Sequence, residues 1–339
     1  MKYFRLALLP FSYLYRLLFL FARKITTAKK IENAGVISIG NLTVGGSGKT
    51  PHVIYFSALV HENAEGLGEI YVLTRGYGGQ MTNTGMYVET DSSAADSGDE
   101  PLLIKKTLPY VHVISGKNRY ENLTKFRKNH PGPDIIILDD GFQHHRIARD
   151  LDIVLIDSEQ GIGKHTIPAG DLREPLSGLS RSDAVIFTKS TKGVHQHDLE
   201  DKIKTINPGI GIFYSRYTAK GLYNDTEKIA MVELHGKSVF AFSGIARPDS
   251  FLSMIQEHAP AKIVHMNFMD HKKYDAKILA RIMKKANDFD YIICTEKDYV
   301  KIRTLNPDKK VYYLKISVSL DNEKELLSLM QKKLEIKMK

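Results

Sequence analysis

Short apolar runs alternate along most of the chain with stretches whose apolar residues recur at helical spacing. Residues 36–39, 70–74, 111–114, 135–138, 153–156 and 184–187 form runs of which several are apolar on both faces. Such runs predict the buried strands of a parallel sheet flanked by helices. The alternation breaks over 212–235, where IFYSRYTAKGLYNDTEKIAMVE holds two extended stretches around residues 221–225 and predicts a two-stranded connector. It then restarts, with strands predicted at 238–242, 262–266, 291–294 and 311–314 and helices near 247–258, 274–286 and 321–335, the last carrying Leu326, Leu327, Met330 and Leu334 on one face. The expected class is α/β. It comprises an N-terminal segment over 1–30, an α/β/α domain with a parallel sheet over 31–211, a two-stranded linker over 212–235 and a second, smaller α/β/α domain over 236–339. There is no internal repeat or low-complexity tract.

The N-terminal segment follows another rule. LALLPFSYLYRLLFLFA, residues 6–22, would extend about 26 Å as a helix, just short of the ~30 Å hydrocarbon core of a bilayer. Spanning would bury Arg16 at roughly 2.5–3.5 kcal/mol and place Pro10 against the helical hydrogen-bond ladder. At 100° per residue, Arg5, Ser12, Arg16 and Arg23 fall in one narrow stripe, with Leu, Phe and Tyr over most of the remainder. That pattern predicts an amphipathic helix lying in the membrane interface. A helix packed on the body is the alternative. A signal peptide is disfavoured because no small-residue cleavage site follows the apolar run.

Charge sharpens this picture. Residues 1–30 hold seven cations and no acid, so the other 309 residues carry only +2 of the net +9. A basic nucleic-acid groove over the body is therefore not expected, while seven cations near an anionic leaflet suffice for an electrostatic contact. The single cysteine, Cys294, excludes an internal disulfide, a zinc ribbon and CxxC redox chemistry, and fits a reducing cytoplasmic setting.

The main chemical signal is VISIGNLTVGGSGKT, a strand, a Gly-rich turn and then a helical pattern starting at Pro51. This is the context of a P-loop. Thr43, Val44, Gly45, Gly46, Ser47, Gly48, Lys49 and Thr50 would cradle nucleotide phosphates, with Lys49 on the β/γ oxygens and the Thr50 hydroxyl on Mg²⁺. Thr43 stands where the general pattern has glycine. PDIIILDDGFQHH ends an apolar run in Asp139 and Asp140, placing two carboxylates at a strand's carboxyl edge, and one of them can serve the metal. DSGDEP puts Asp96, Asp99 and Glu100 before an amphipathic helix, where acids either cap the helix or supply the base that transfer to an alcohol requires. His144, His145, His195, His197 and the Asp270-His271 pair match no zinc spacing, and the oxygen-rich loops suit Mg²⁺ better. No GxSxG elbow is present, so a serine hydrolase is excluded.

Among P-loop proteins, a GTPase would carry [NT]KxD, but FTKST at 187–191 has Thr191 in place of the aspartate. A membrane-positioning switch ATPase would begin its loop with lysine, but here Val44 stands. The set GNLTVGGSGKTP, TRGYGG (74–79), DEP (99–101), LDDGFQHH (138–145), AGDLREP (169–175) and FSGIARP (242–248), in this order and spacing, resembles the tetraacyldisaccharide 4′-kinase family, the lipid A 4′-kinases. The resemblance runs from the N-terminal helix almost to the C-terminus, and Thr43 fits the family's form of the loop. It implies ATP-dependent phosphorylation of the 4′-hydroxyl of a tetraacylated glucosamine disaccharide 1-phosphate at the cytoplasmic face of the inner membrane, giving the 4′-phosphorylated lipid A precursor. It also implies two α/β/α domains joined by a two-stranded linker, ATP and Mg²⁺ as cofactors, Lys49 and Thr50 on phosphate and metal, and Asp139 (with Asp140 beside it) and Glu100 on the metal. Asp99 would be the base, with His271 of FMDHKKYD beside it, although the family often doubles the histidine where this chain has His271-Lys272. Arg75, Lys117, Arg119 and Arg173 are candidates for the substrate's 1-phosphate or the transferred group. The expected partners are the lipid disaccharide and a membrane surface, with no nucleic acid and no obligate protein partner. A membrane-docked P-loop ATPase acting as a switch or scaffold is the alternative.

Overall fold

The computed structural model describes residues 7–128, 133–305, 307 and 310–336. Its centre is β1 (Ala34–Asn41), buried on both faces and flanked by β5 (Asp134–Asp139) and β6 (Leu151–Asp157), both parallel to it. Beyond β5 lie β2 (Ile70–Thr74), β4 (His112–Ser115) and the short antiparallel β3 (Met86–Val88); beyond β6 lies β7 (Ala184–Thr188). Three residues give β3 too little periodicity to read from sequence. After β1 the chain turns to one side of the sheet and later, at β6, to the other. The crevice above the carboxyl end of β1 is thus a topological switch point, the usual place for a ligand in an open α/β sheet.

The strand β8 (Gly211–Tyr223) carries the sheet into the second half of the molecule. Its first residues pair parallel with β7, and residues 215–223 pair antiparallel with β13 (Val311–Leu320). The segment expected to supply both linker strands contributes β8 and only a two-residue β9 (Lys228–Ile229); the main partner of β8 comes from almost a hundred residues later. A register shift between Lys315 and Ile316 leaves one residue of β8 unpaired beside Gly221, whose φ of +140° suits a glycine. Past β13 come β12 (Tyr291–Thr295), β10 (Ser238–Ser243) and β11 (Lys262–Asn267), all parallel, so the carboxyl end of β10 forms a second switch point. The result is an α/β fold built on a single thirteen-stranded sheet dominated by parallel pairing, as its alternating pattern predicts.

Helices cover both faces. The C-terminal helix, Glu323–Leu334, was expected in the second domain. Its Leu326, Met330 and Leu334 instead pack in the core shared with Ile37, Ile39, Ile135 and Ile153 of the first half. Gly35 leaves room for Leu334, because a Cβ there would lie 3.1 Å from the leucine.

The first helix of the described residues, α1 (Leu9–Ile25), has Pro10 in its opening turn, where a missing N–H costs nothing, so the proline does not interrupt the ladder. Ser12 is buried: its hydroxyl donates to the Thr166 carbonyl at 2.9 Å and accepts from the Ala169 N–H at 2.9 Å. Tyr15 donates to the Arg173 carbonyl at 2.7 Å, and Phe19 meets His145 edge-on. The expected polar stripe therefore divides. Ser12 and Arg23 lean on the body, Arg16 is exposed, and Arg5 lies outside the described residues. Phe11, Tyr13, Leu14, Leu17, Leu18, Phe21 and Ile25 face outward. No described helix is long and apolar enough to cross a membrane.

Candidate active site

The Gly-rich turn leaves β1 and feeds α2 (Lys49–Asn63). Thr43 bridges to Leu172, and the Val44 N–H donates to the Asp171 carbonyl at 2.8 Å, so the AGDLREP segment braces the loop's entry. Asn41 braces it from below, donating from Nδ2 to the Thr43 carbonyl at 2.8 Å and accepting from Lys49 Nζ at 3.5 Å. Gly48 has a φ of +79°, and a side chain there would collide with the Tyr217 hydroxyl from β8. His52, one turn into α2, is fully buried between the Gly48 carbonyl and the Ser215 hydroxyl, 2.8 Å from each, and burial holds its imidazole down at about 4. The loop is therefore tied to the strand that links the two halves.

Asp139 ends β5 and is buried, with one carboxylate oxygen lacking any hydrogen-bond partner. Burial, then the negative charges of Glu100 and Asp140, push its carboxyl up. Asp140 follows at a φ of +51°, which swings its carboxylate toward Lys49 at 3.6 Å and Arg173, whose Nη1 donates to both oxygens at 2.7 and 2.8 Å. Burial opposes ionisation of Asp140, but Lys49 and Arg173 outweigh it and hold the group well below the usual carboxylate range.

Asp99 and Glu100 open α3 (Asp99–Thr107). The Asp99 carboxylate lies 3.3 Å from Nδ1 of His271, which comes from the loop after β11. Burial would raise the Asp99 pKa, but the His271 hydrogen bond and the Lys297 and Lys301 ammonium groups lower it to about 2. The same bond raises the His271 pKa.

A cavity of about 670 Å³ joins these parts, lined by the P-loop, Glu100, Asp139, Asp140 and Arg173 and, from the second half, by Arg247, His271 and Lys297. A second cavity of about 370 Å³ lies between α1 and the sheet edge, lined by Phe19, Arg23, Arg75, Lys117, His145 and Arg173 among others. The two share Arg75, Asp140 and Arg173.

The structure thus gathers Lys49, Thr50, Glu100, Asp139, Asp140, Arg75 and Arg173 around one space, with Asp99 and His271 paired at its side. Lys117 is exposed at the second cavity. Arg119 also borders that cavity, but its buried guanidinium donates to the carbonyls of Asp139 at 2.6 Å and Asp140 at 3.3 Å, so it holds the acid turn from behind. Among the described residues no group of three or more His, Cys, Asp or Glu side chains forms a ready metal site. Sequence reasoning missed Asn41, Tyr217 and Lys297. Lys297 had a signal: Thr-Glu-Lys-Asp ends the apolar run of β12 just as Asp-Asp ends that of β5.

Comparison with known proteins agrees with this geometry. The family model for tetraacyldisaccharide-1-P 4′-kinase matches residues 4–335. A tetraacyldisaccharide 4′-kinase of Geobacter sulfurreducens is 33% identical over 287 residues, covering 83% of this chain and 78% of that protein. One from Aquifex aeolicus is 32% identical over 339 residues, covering 96% of this chain and 98% of that protein. A crystal structure of LpxK from Aquifex aeolicus in complex with ATP superposes with a TM-score of 0.73 at 29% identity, covering 98% of this chain and 99% of that one. With the matched region running from the first helix to the last, this chain belongs to the tetraacyldisaccharide-1-P 4′-kinase family.

Proposed function

We propose that this ATP-dependent kinase phosphorylates the 4′-hydroxyl of a tetraacyldisaccharide 1-phosphate with Asp99 as the proton acceptor, in a site that lies open to a membrane-held acceptor. The family carries the activity and decides against the switch or scaffold reading. The observation that carries the residue roles is the Asp99–His271 contact beside the P-loop cavity. A switch ATPase has no need of a carboxylate paired in this way. The acceptor's proton leaves late in a loose phosphoryl-transfer transition state, so a carboxylate of low pKa suffices as acceptor, provided that it is aimed. His271 aims it.

The turn from Gly45 to Thr50 binds the ATP phosphates through backbone N–H groups, and Lys49 reaches the β/γ oxygens. Thr50, Asp139 and Glu100 suit Mg²⁺: the donors are hard oxygens, and the unpartnered Asp139 oxygen is the kind of group that a cation satisfies. When bound, the metal neutralises charge on the phosphates. Asp140 orients Lys49 and Arg173. Arg75, Lys117 and Arg173 face the second cavity beneath α1, where cations meet the acceptor's 1-phosphate or the group being transferred. The outward apolar face of α1 supports the reading in which that cavity meets a membrane surface, with the cytoplasmic face of the inner membrane as the proposed location.

The test is a double-mutant cycle on kcat at saturating ATP. Asp99→Ala is expected to lower kcat by orders of magnitude and His271→Ala by less, with the double variant losing little beyond Asp99→Ala because the two act as a unit. An unimpaired Asp99→Ala enzyme would return the acid cluster to a helix-capping role.

A further inference from the structure

The side chain of Lys297 reaches from the second half of the chain into the acidic wall of the cavity. Its Nζ lies 3.0 Å from Glu100 Oε1, 3.2 Å from His271 Nε2, 3.5 Å from Asp270 Oδ1 and 4.0 Å from Asp99 Oδ2. The backbone that carries it is fixed. Lys297 is the second residue of α4 (Glu296–Ile302), capped by Thr295, whose hydroxyl accepts from the Asp298 N–H at 3.2 Å. The Asp298 carboxylate is fully buried and accepts from the Thr295 hydroxyl at 2.7 Å, the Gly244 N–H at 2.9 Å and the Tyr274 hydroxyl at 3.0 Å, while Lys301 Nζ lies 3.0 Å away. The Gly244 loop runs on to Ala246, which sits beside Gly46 of the P-loop. One buried hub thus sets both the loop that touches the P-loop and the helix turn that presents Lys297.

We propose that Lys297 is a further catalytic residue, a cation delivered to the transferred phosphoryl group by the second half of the molecule. This inference rests on ATP occupying the P-loop as proposed above. The charges around the cavity favour it. Lys49 is shared with Asp140 and Asn41, and Arg173 is held by Asp140, so these two first-half cations already have partners, while Arg75 lines the same cavity. Lys297 enters the same cavity from the second half, among the carboxylates of Glu100, Asp270 and Asp99. A plain tie between the halves does not require a residue in this place. Lys301, buried behind the wall, already joins Asp99 at 3.6 Å to Asp298, and His271 supplies a second tie; of the two lysines, only Lys297 lines the cavity.

In the transfer, the bond from the γ-phosphorus to the β–γ bridging oxygen breaks and the bond from the acceptor's 4′-oxygen forms. The acceptor's proton passes to Asp99. Lys297 keeps its protons and donates hydrogen bonds to the equatorial oxygens, where negative charge accumulates in transit.

The experiment compares Lys297→Met, which keeps the length and removes the charge, with Lys297→Arg. Lys297→Met is expected to lower kcat about 10²–10³-fold, the usual cost of one transition-state donor. ADP affinity by calorimetry should stay within about threefold, and ADP with aluminium fluoride, which mimics the group in flight, should bind about as much more weakly as kcat falls. Lys297→Arg should recover part of both losses. A kcat within about threefold of wild type, or a loss that appears wholly as weaker ADP binding or a lowered Tm with aluminium fluoride affinity unchanged, would overturn the proposal and leave Lys297 as a tie between the halves. Lys49→Ala run alongside separates the readings: inactive Lys49→Ala with active Lys297→Met defeats the lysine proposal alone, and active Lys49→Ala defeats the P-loop reading beneath it.

Discussion

Glu296 stands one residue before Lys297 on the same cavity wall, near Lys315 and 3.5 Å from the Ile316 N–H. Burial raises its carboxyl from 4.5 to about 7, with Lys315 only partly opposing. A raised carboxyl means that the folded protein holds a proton that the unfolded chain has released between pH 4.5 and 7, so stability falls as pH rises through that window. The full cost is on the order of 3 kcal/mol before solvent screening. Glu296→Gln should therefore raise Tm at pH 8 and flatten the pH dependence between 4.5 and 7; an unchanged slope in thermal melts of the apo protein would remove Glu296 as its source. At this scale the sequence was legible in placement where a motif marks it: a Gly-rich turn, a strand end and an acid cluster marked Lys49, Asp139 and Asp99, which the fold brings to or beside one cavity. It was illegible where a side chain's partner is a backbone atom far away. Nothing in the string around Arg119 tells that its guanidinium closes on the Asp139 and Asp140 carbonyls rather than on substrate.

Among the elements, α1 shows how composition reveals a surface but not its orientation. Its apolar content predicts a membrane face, and Leu14, Leu17 and Phe21 form an exposed apolar face whose contact with lipid is the proposal to be tested. The inward polar clamp, in which Ser12 meets Thr166 and Ala169 and Tyr15 meets Arg173, is a tertiary fact set by residues about 155 positions away. The two faces should separate by mutation. Replacing Leu14, Leu17 and Phe21 together by serine should abolish co-flotation with anionic vesicles while leaving kcat on detergent-dispersed acceptor nearly intact. Ser12→Ala should leave flotation unchanged and cost about 1 kcal/mol of stability for the hydrogen bonds lost. Flotation that survives the triple replacement would mean that this face does not meet lipid. The strand β8 teaches the same lesson, because its alternation shows an extended strand but its pairing with β13 depends on where the last third of the chain returns.

Over the whole molecule, one sheet carries two switch points whose carboxyl edges face a common cavity. The first presents the P-loop and the acids Asp139 and Asp140, the second His271 and Lys297. Contacts across the space, His271 to Asp99 and Lys297 to Glu100, are ionic, and the halves are joined through β8 and β13. In this structure both sets of contacts are formed, so the two switch points contribute to one site. The alternating pattern made the α/β class and nearly every strand legible; it could not show that the final helix would return to the first core, because an amphipathic stripe fits any apolar surface of the right width. Transfer of the γ-phosphoryl group of ATP to the lipid disaccharide through the P-loop can be followed with γ-labelled ATP and tetraacyldisaccharide 1-phosphate in detergent micelles. Label should appear on the 4′-oxygen with wild-type protein, and folded Lys49→Ala should be slower by orders of magnitude; label released only as free phosphate, or transfer at wild-type kcat by Lys49→Ala, would rule out transfer through the P-loop.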